Sequence, residues 1–233
     1  MRPRHKQSRV AIAVLTTLLT VDAVFVVLHI THPIEPGDGT SSPVVVPRLS
    51  FEADRGYPER FGYAKFLFAA STCLILYRWV KQPAYLGWSF AFLVIFVDDA
   101  FMVHERLGGE LADKLTLAPS LGLRAQDFGE LAAWSILGVT VITALLWAHH
   151  YSAAEAWRDS RVLALLVSAL AFFGVVMDMV HVTVAGSAER IVGTIEGGGE
   201  LAVPSVIVAY FVASMLRIRN SANARRIAKK CAD

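Results

Sequence analysis

The sequence is divided into six apolar blocks, each close to the roughly 20 residues that cross the ~30 Å hydrocarbon core of a membrane as a helix. Backbone polar groups in lipid must be paired within the segment, and blocks rich in Leu, Ala, Val and Phe form helices rather than barrel strands. The chain of 233 residues is 55% hydrophobic and only 18% charged, unlike soluble domains of this size. The predicted spans are about residues 10–30, 61–80, 85–104, 129–149, 161–185 and 199–217. The sequence therefore predicts an all-α, polytopic integral membrane bundle of six helices.

The remaining composition limits the partners of the chain. One membrane domain, residues 1–217, is predicted to precede a basic tail, residues 218–233. The two cysteines, Cys73 and Cys231, are too few for a Cys-based zinc site and lie far apart in this topology. A formal net charge of only +2 argues against nucleic acid. The lipid bilayer is therefore the expected partner, and the sequence leaves the oligomeric state open.

Lysine and arginine residues are concentrated on one side of the predicted bundle. Six helices place both termini on the same side, together with the loops that follow the second and fourth helices. Most of the 22 basic residues fall there. They are Arg2, Arg4, Lys6, Arg9, Arg78, Lys81, Arg158, Arg161, Arg217, Arg219, Arg225, Arg226, Lys229 and Lys230. By the positive-inside rule, both termini are predicted to be cytoplasmic in a multi-pass protein of the cell membrane.

Ionisable residues in and beside the predicted spans fall almost entirely in the outer half of the membrane. Helices that run outward carry them mostly towards their ends, and helices that return carry them near their starts. The set is Asp22, His29, Asp98, Asp99, His104, Glu105, Asp127, Glu130, Asp178, His181, Glu196 and Glu200. A charged side chain at the bilayer centre costs about 2.5–3.5 kcal/mol on the insertion scale, so such residues face the bundle interior. We therefore expect one polar cluster in the outer half of the bundle.

Spacing along each helix supports a shared cluster, because residues three, four or seven apart lie on the same face. The pairs are Asp22 with His29, Asp98 with Glu105, Asp127 with Glu130, Asp178 with His181, and Glu196 with Glu200. His104 projects about 100° away from Glu105. We therefore predict that His104 lies in the site with Asp99 or Asp98, and that Glu105 lies nearer its rim.

Imidazole and carboxylate groups are ligands that Zn, Fe and Mn take in proteins. The spacing Asp178-x-x-His181 resembles the Glu-x-x-His motif that holds paired metals in helical bundles. The prediction is therefore a site for a divalent transition metal, either mononuclear or dinuclear. The candidate ligands are His104, His181, Asp178, Asp99, Asp98, His29 and Asp22. Glu130 and Glu200 are the candidate catalytic residues, with Glu130 as general base or bridging carboxylate and Glu200 as a further ligand or orienting group.

Several of these residues also have a purely structural interpretation. Asp178 and His181 are explained equally by a buried pair that bond to each other. Asp127 and Glu196 lie where a carboxylate interacts with a helix N-terminus. Lys65 lies deep in the second predicted helix, where its charge would counter that of the carboxylates.

A weak internal repeat relates the three helices that run inward. The segments ERFGYAKFLFAA, QDFGELAAWSIL and EGGGELAVPSVI align at Gly62, Gly129 and Gly199. Glu130 and Glu200 then occupy equivalent positions. This alignment predicts three related helical hairpins.

Two outer segments carry further signals. The glycines of EGGGE, at a predicted helix start, indicate either close helix packing or an unwound entrance to the site. The loop at residues 105–128 has leucines at helical spacing with charges between them. This pattern predicts a short amphipathic helix that covers the polar cluster.

Three functions remain open from the sequence. The first is a metal-dependent membrane hydrolase or oxidoreductase that acts on a lipid-like substrate, since the site opens outward or sideways. The second is a transporter or channel for metal ions or protons, although the inner halves of the later helices carry few polar groups. The third and weakest is a b-type haem protein with His29, His104 and His181 as axial ligands.

Overall fold

The structure, a computed structural model, describes residues 3–31, 47–51 and 55–230. The described elements are helices, apart from an isolated β-bridge between Ser120 and Leu123. The helices are α1 (Pro3–Thr31), α2 (Tyr57–Val80), α3 (Ala84–Phe101), α4 (Val103–Lys114), α5 (Ala125–His150), α6 (Ala154–Ala171), α7 (Asp178–Thr183) and α8 (Ser187–Lys230), with a 3-10 turn at Pro47–Leu49 and a π-helical turn at Phe172–Met177. The all-α prediction is confirmed for this part of the chain. Cys231 lies outside it.

Five stretches of these helices are long and apolar enough to cross a membrane, which is compatible with a multi-pass membrane protein. They are Ser8–Thr31, Ala84–Phe101, Ala125–His150, Ala156–Thr183 and Ser187–Ser221. Helix α2 matches the second predicted span in position but is not among them. Its apolar character is interrupted by Glu59, Arg60, Lys65 and Arg78. Composition and length therefore support five of the six predicted spans.

Helices α2, α3 and α8 form the centre of the bundle. Helix α2 packs against α3 and α8, and the largest buried side chains of the three include Leu76, Phe92 and Phe211. Helices α1, α5 and α6 lie outside and present apolar side chains on their free faces. Among these exposed residues are Val24, Val27, Val139, Ile142, Leu146 and Leu165. Helix α2 buries one face, which carries Lys65, against its neighbours and exposes the other, which includes Leu67, Phe68 and Leu74. Burial of Lys65 against protein explains how α2 accommodates this charge.

The third predicted helix, residues 85–104, ends earlier than expected. Met102 adopts a left-handed conformation with φ 53°, so α3 ends at Phe101 and α4 begins at Val103. The Asp98 carboxylate accepts a hydrogen bond of 2.8 Å from the backbone N–H of His104, a donor that the first turn of α4 leaves unpaired. The amphipathic helix predicted within residues 105–128 is confirmed as α4, which packs on α5.

The sixth predicted helix is longer than expected. Helix α8 begins at Ser187 and continues through EGGGE and past Pro204, so residues 187–198 are helical rather than a loop. A Cβ at Gly197 would meet the ring of Phe51, and one at Gly199 would meet the ring of Phe173. The close-packing interpretation of these glycines is therefore correct, and the unwound entrance is wrong.

The glycines of the proposed repeat have three different surroundings. A Cβ at Gly62 would point into open space, one at Gly129 would overlap the backbone of Gly108, and one at Gly199 would meet an aromatic ring. The structure therefore gives no support to three equivalent hairpins.

Gly129→Ala is expected to destabilise the protein, because α4 and α5 meet backbone to backbone at this position. The new Cβ would overlap the carbonyl oxygen of Gly108, which no side-chain rotation can relieve. Overpacking of this kind costs about 1–3 kcal/mol. Gly109→Ala is the matched control, since nothing lies within 4 Å of a Cβ there. Thermal unfolding in detergent measures both variants, and equal melting temperatures would contradict the packing of α4 on α5.

Candidate functional site

A cavity of about 1000 Å³ lies at one end of the bundle. It is bounded by the last turns of α1, α3 and α6, the first turns of α2, residues 131–141 of α5, helix α7 with the π-helical turn before it, and α8. Helix α4 contributes His104 and Glu105. The lining residues of α8 extend from Glu189 to Leu201, about 18 Å of helix at 1.5 Å per residue. This is the end of the bundle where the sequence concentrates its acidic and histidine residues.

Most of the predicted site residues line this cavity. They are His29, Asp98, Asp99, His104, His181 and Glu200. The remaining candidates, Asp22, Glu130 and Asp178, are not among the lining residues. The structure therefore brings together six of the nine predicted site residues.

The cavity is polar at one end and apolar at the other. On α2 the polar Glu59 precedes the apolar Phe66 by two turns, and on α3 the apolar Val94 precedes Asp98 by one turn. Since these helices run in opposite directions, both place their carboxylates at the same end. Further apolar lining residues lie deeper on α5 and α6, among them Leu137, Val141, Val167 and Leu170. The cavity therefore matches a molecule with one polar and one apolar end.

His104 is fixed at the junction of α3 and α4. Its Nδ1 lies 3.1 Å from Asp98 Oδ2, a close contact without hydrogen-bond geometry, and its backbone N–H donates a hydrogen bond to the other oxygen of the same carboxylate. The indole of Trp134 packs against the imidazole, with ring centroids 4.8 Å apart. Of the two partners expected for His104, the structure selects Asp98.

His181 is fixed between α7 and α8. Its Nδ1 lies 2.8 Å from Glu196 Oε2, so its partner is not Asp178, three residues earlier. A Cβ at Gly193 would lie 2.9 Å from Cε1 of the imidazole, and the glycine therefore leaves room for the ring. Glu196, which the sequence suggested as a helix-terminus residue, instead orients a histidine.

Asp99 and Glu200 face the cavity differently from the paired residues. Among the residues that the structure describes, none donates a hydrogen bond to either carboxylate. Glu200 Oε1 lies only 2.7 Å from the point that a Cβ on Gly174 would occupy, and Trp134 Cη2 lies 3.8 Å from it. Gly174 belongs to the π-helical turn, a distortion that is frequent at functional sites. Both carboxylates are therefore available to a ligand.

Asp22 forms a buried ion pair just below the cavity. Lys65 Nζ donates to Asp22 Oδ1 at 2.6 Å and to the carbonyl oxygen of Leu201 at 2.9 Å. Ser205 Oγ donates to the other carboxylate oxygen at 2.6 Å. Both Asp22 oxygens thus have partners, and the contacts join α1, α2 and α8. The charge of Lys65 is balanced by Asp22 rather than by the carboxylates of the cavity.

The carboxylates at the start of α5 have structural contacts. Asp127 accepts hydrogen bonds from the backbone N–H of Arg124 at 2.6 Å and from its guanidinium at 2.7 Å, which caps the helix as expected. Glu130 accepts a hydrogen bond from Gln126 at 2.8 Å and packs on Gly108. Glu130 therefore lies behind α4 rather than in the cavity.

The geometry does not assemble the predicted metal ligands. Within residues 3–31, 47–51 and 55–230, no group of three His, Cys, Asp or Glu side chains is arranged to hold a metal ion. The two histidines that are held by carboxylates, His104 and His181, each use Nδ1 for that contact. A carboxylate that orients a histidine in this way is also a common feature of metal sites.

Sequence reasoning missed residues on α2 that also line the cavity. The Tyr63 hydroxyl contacts Glu59 Oε2 at 2.8 Å and the carbonyl oxygen of Asp99 at 3.2 Å. The Arg55 backbone N–H donates to the same Glu59 oxygen at 2.7 Å. Glu59 fell outside the predicted span, which began at residue 61. Its spacing of four residues from Tyr63 was the available signal.

A second buried polar network, at the opposite end of the bundle, was also missed. Asp159 accepts hydrogen bonds from the hydroxyls of Tyr85 and Tyr210, at 2.8 and 2.7 Å, and from Arg217 at 2.9 Å. Asp159 is only 6% exposed, although it precedes the predicted fifth span. The network joins the starts of α3 and α6 to the last part of α8.

Asp22→Asn is expected to lower stability, because it leaves the Lys65 ammonium buried without a counter-charge. Breaking one partner of a buried pair costs about 3–5 kcal/mol. The double variant Asp22→Asn with Lys65→Met removes both charges and is expected to lose less than the sum of the two single variants. Lys114→Met, which breaks an exposed pair with Glu110, is the control with an expected change below about 1 kcal/mol. Equal melting temperatures for Asp22→Asn and Lys114→Met would refute the assignment.

Comparison with known proteins places the chain in a family. No curated protein and no solved structure matches it. The profile of a family described as "Domain of unknown function (DUF8692)" matches residues 9–215. That match covers the described helices from α1 to the membrane-length part of α8. The chain therefore belongs to the DUF8692 family.

Proposed function

We propose that this protein is an integral membrane protein that binds a lipid-like molecule in the cavity and acts on its polar end. The observation that carries the proposal is the division of one cavity into a carboxylate and histidine end and an apolar end. An amphipathic molecule matches both ends, with its polar group at the carboxylates and histidines and its apolar chain along the apolar wall. The exposed apolar faces of α1, α5 and α6 support lipid surroundings for the same helices.

The chemistry that the polar end supports is proton transfer. His104 with Asp98 and His181 with Glu196 are two imidazole–carboxylate pairs in one cavity. A carboxylate that holds an imidazole sets its orientation and stabilises its protonated form, as a general acid or base requires. Asp99 and Glu200 add carboxylates without a protein hydrogen-bond donor in the described chain. Hydrolysis of a lipid-like substrate is the reaction class that these groups suit best.

A metal-dependent form of the same activity is the second candidate. The observation in its favour is that His104 and His181 both line the cavity and both use Nδ1 for a carboxylate. A divalent Zn, Fe or Mn ion would need these side chains to move closer together, since they form no three-ligand group as they stand. Bound metal would supply a Lewis acid or an activated water at the polar end.

Transport and haem binding have less support. Between the two polar ends of the bundle, the described core is filled mainly by apolar side chains such as Leu76, Phe92 and Phe211. A transporter would have to open this core. For haem, seven carboxylic acids line the same cavity as the candidate axial histidines, and this density of negative groups does not suit a haem with its own propionates.

The proposed orientation places both termini in the cytoplasm and the cavity towards the outer side. Its support is the excess of lysine and arginine at the chain ends and in the two loops on that side. The basic residues at the end of α8 are suited to anionic lipid at that surface.

Gly62→Phe is expected to abolish ligand binding, because Gly62 lines the cavity and a Cβ there points into open space. The benzyl group would occupy the cavity without colliding with a neighbour at its Cβ. Gly62→Ala is the matched control, since one methyl group leaves most of the cavity free and replaces a helical glycine, a gain of up to about 1 kcal/mol. Native mass spectrometry with added hexadecanol, hexadecanoic acid and hexadecylamine counts the bound molecules. Equal occupancy of wild type and Gly62→Phe by every probe would contradict ligand binding in this cavity.

Elemental analysis of the purified protein tests the metal-dependent form. If metal takes part, the protein retains about one or two equivalents of Zn, Fe or Mn, and His181→Ala loses them. Glu110→Gln, on the exposed face of α4, is the control that keeps its metal content. Wild-type protein without metal, and without a change in melting temperature when each metal is added, would leave only the metal-independent form. The absorption spectrum of the same sample tests haem, which would give a Soret band.

A further inference from the structure

We infer that the ligand of the cavity carries a positive charge at its polar end, and that Asp99, Glu200 and Trp134 recognise a long-chain amine or quaternary ammonium head group. This inference rests on the proposed binding of a lipid-like molecule and adds the chemical class of its head group. It follows from the charge balance of the cavity, from the side chains that lack partners, and from the position of one aromatic ring.

The cavity has far more negative than positive groups. Seven carboxylic acids line it, against one arginine and three histidines. The arginine, Arg190, has an exposed side chain on the first turn of α8. Even with both paired histidines charged, the carboxylates outnumber the cations. A charge excess of this kind in a partly enclosed cavity attracts cations from solution or membrane.

The nearest buried lysine does not correct this imbalance. Lys65 adjoins the floor of the cavity, because its neighbour Phe66 and its hydrogen-bond acceptor Leu201 both line it. Its ammonium group, however, is 2.6 Å from Asp22 and is directed away from the acidic end. Lys65 therefore stabilises the packing of the helices and does not neutralise the carboxylates of the cavity.

Asp99 and Glu200 contribute to the excess of negative groups in the cavity without a hydrogen-bond partner among the described residues. Asp98 and Glu196 are occupied by histidines, and Glu59 by Tyr63 and a backbone N–H. Neither Asp99 nor Glu200 receives a hydrogen bond from the described chain. Two carboxylates without donors in the described protein, in a cavity that is large enough for a ligand, are free to pair with a cationic head group, and a charge-assisted hydrogen bond from an ammonium N–H is the strongest contact that a ligand can offer them.

The ring of Trp134 lies beside Glu200. Both Glu200 Oε1 and Trp134 Cη2 come within 4 Å of the point where a side chain on Gly174 would begin. The edge of the Trp134 ring, which also packs against His104, thus lies close to Glu200, and an aromatic ring beside a carboxylate offers an organic cation both cation–π attraction and charge pairing. A fully hydrated metal ion gains little from an aromatic ring, whereas an alkylammonium group contacts both. The apolar wall that continues from Leu137 to Val141 then receives the alkyl chain.

Binding of three probes that share one alkyl chain tests this inference. Native mass spectrometry of the full-length protein in a non-ionic detergent is used to titrate hexadecylamine, hexadecanol and hexadecanoic acid. Hexadecylamine is expected to bind about tenfold or more tightly than hexadecanol, and hexadecanoic acid most weakly. Glu200→Gln and Asp99→Asn, which keep the shape of each side chain, are expected to weaken hexadecylamine binding by about tenfold and hexadecanol binding by much less, so that the preference for the amine is lost.

Two controls separate folding from recognition. Glu110→Gln removes an exposed carboxylate of α4 that does not line the cavity, and is expected to bind all three probes as wild type does. Trp134→Leu is expected to weaken the binding of hexadecyltrimethylammonium more than the binding of hexadecanol. The quaternary ammonium group has no N–H to donate, so its binding depends most on the aromatic ring. The melting temperature of each variant is measured as well, so that loss of the fold is distinguished from loss of binding.

The outcomes distinguish the two levels of the proposal. If hexadecanol and hexadecylamine bind equally to wild type and Gly62→Phe excludes both, the lipid-like ligand stands and the cationic head group is overturned. If the amine preference is unchanged in both Glu200→Gln and Asp99→Asn, the assigned recognition residues are wrong. If Zn²⁺ or Mn²⁺ alone raises the melting temperature through these two carboxylates and the amine does not, the cation is a metal and the inference fails. If no probe binds at all, the proposed function itself fails.

Discussion

The buried ion pair between Lys65 and Asp22 is the interaction on which the arrangement of the bundle depends. A lone charge inside lipid or a packed core is costly, so each of these residues requires the other. Together with Ser205 and the carbonyl of Leu201, they join α1, α2 and α8 at one level. The residues next to them, Phe66 and Leu201, form the floor of the cavity. The pair therefore positions the floor of the cavity and holds the Lys65 ammonium group at Asp22, below the carboxylates that line the cavity.

The bundle has a polar group of residues at each end and a mainly apolar core between them, and the two polar ends differ in how their carboxylates are paired. At one end, Asp159 has its oxygens filled by two tyrosines and an arginine, which makes that end a closed structural network. At the other end, Asp99 and Glu200 face open space. The same chemical groups thus serve packing at one end and remain available to a ligand at the other. The two ends differ because the described part of the protein supplies hydrogen-bond donors to Asp159 but not to Asp99 or Glu200.

Much of this organisation follows from the sequence alone. Hydropathy predicted the helical elements. Polar residues at the ends of outward-running helices and at the starts of inward-running helices were predicted to lie near each other, because neighbouring helices run in opposite directions. Six of nine candidate site residues line the cavity for this reason. Lys65 was expected to counter the carboxylates, but the sequence did not identify Asp22 as its partner, because period-seven spacing describes a shared helix face and not the residue across from it. The pairing of His181 with Glu196 instead of Asp178 depends on how α7 is placed against α8.

Other features were beyond the reach of hydropathy. The break at Met102 is a single left-handed residue inside an apolar run, and nothing in its composition marks it. Lys65 lies on the buried face of α2, a placement that the apolar character of the segment as a whole does not show. The cavity itself arises from Gly62, Gly138 and Gly174 on three helices, each lining the same space. Sequence shows the glycines but not that they converge.

An experimental structure of the protein in lipid with hexadecylamine present is the most direct test of the central claim, that one cavity binds an amphipathic cation. The account predicts elongated density inside the cavity, with its polar end about 3 Å from the carboxylates of Asp99 and Glu200 and its chain along α5. A cavity closed by protein side chains, or Asp99 and Glu200 both hydrogen-bonded to protein donors, would contradict it.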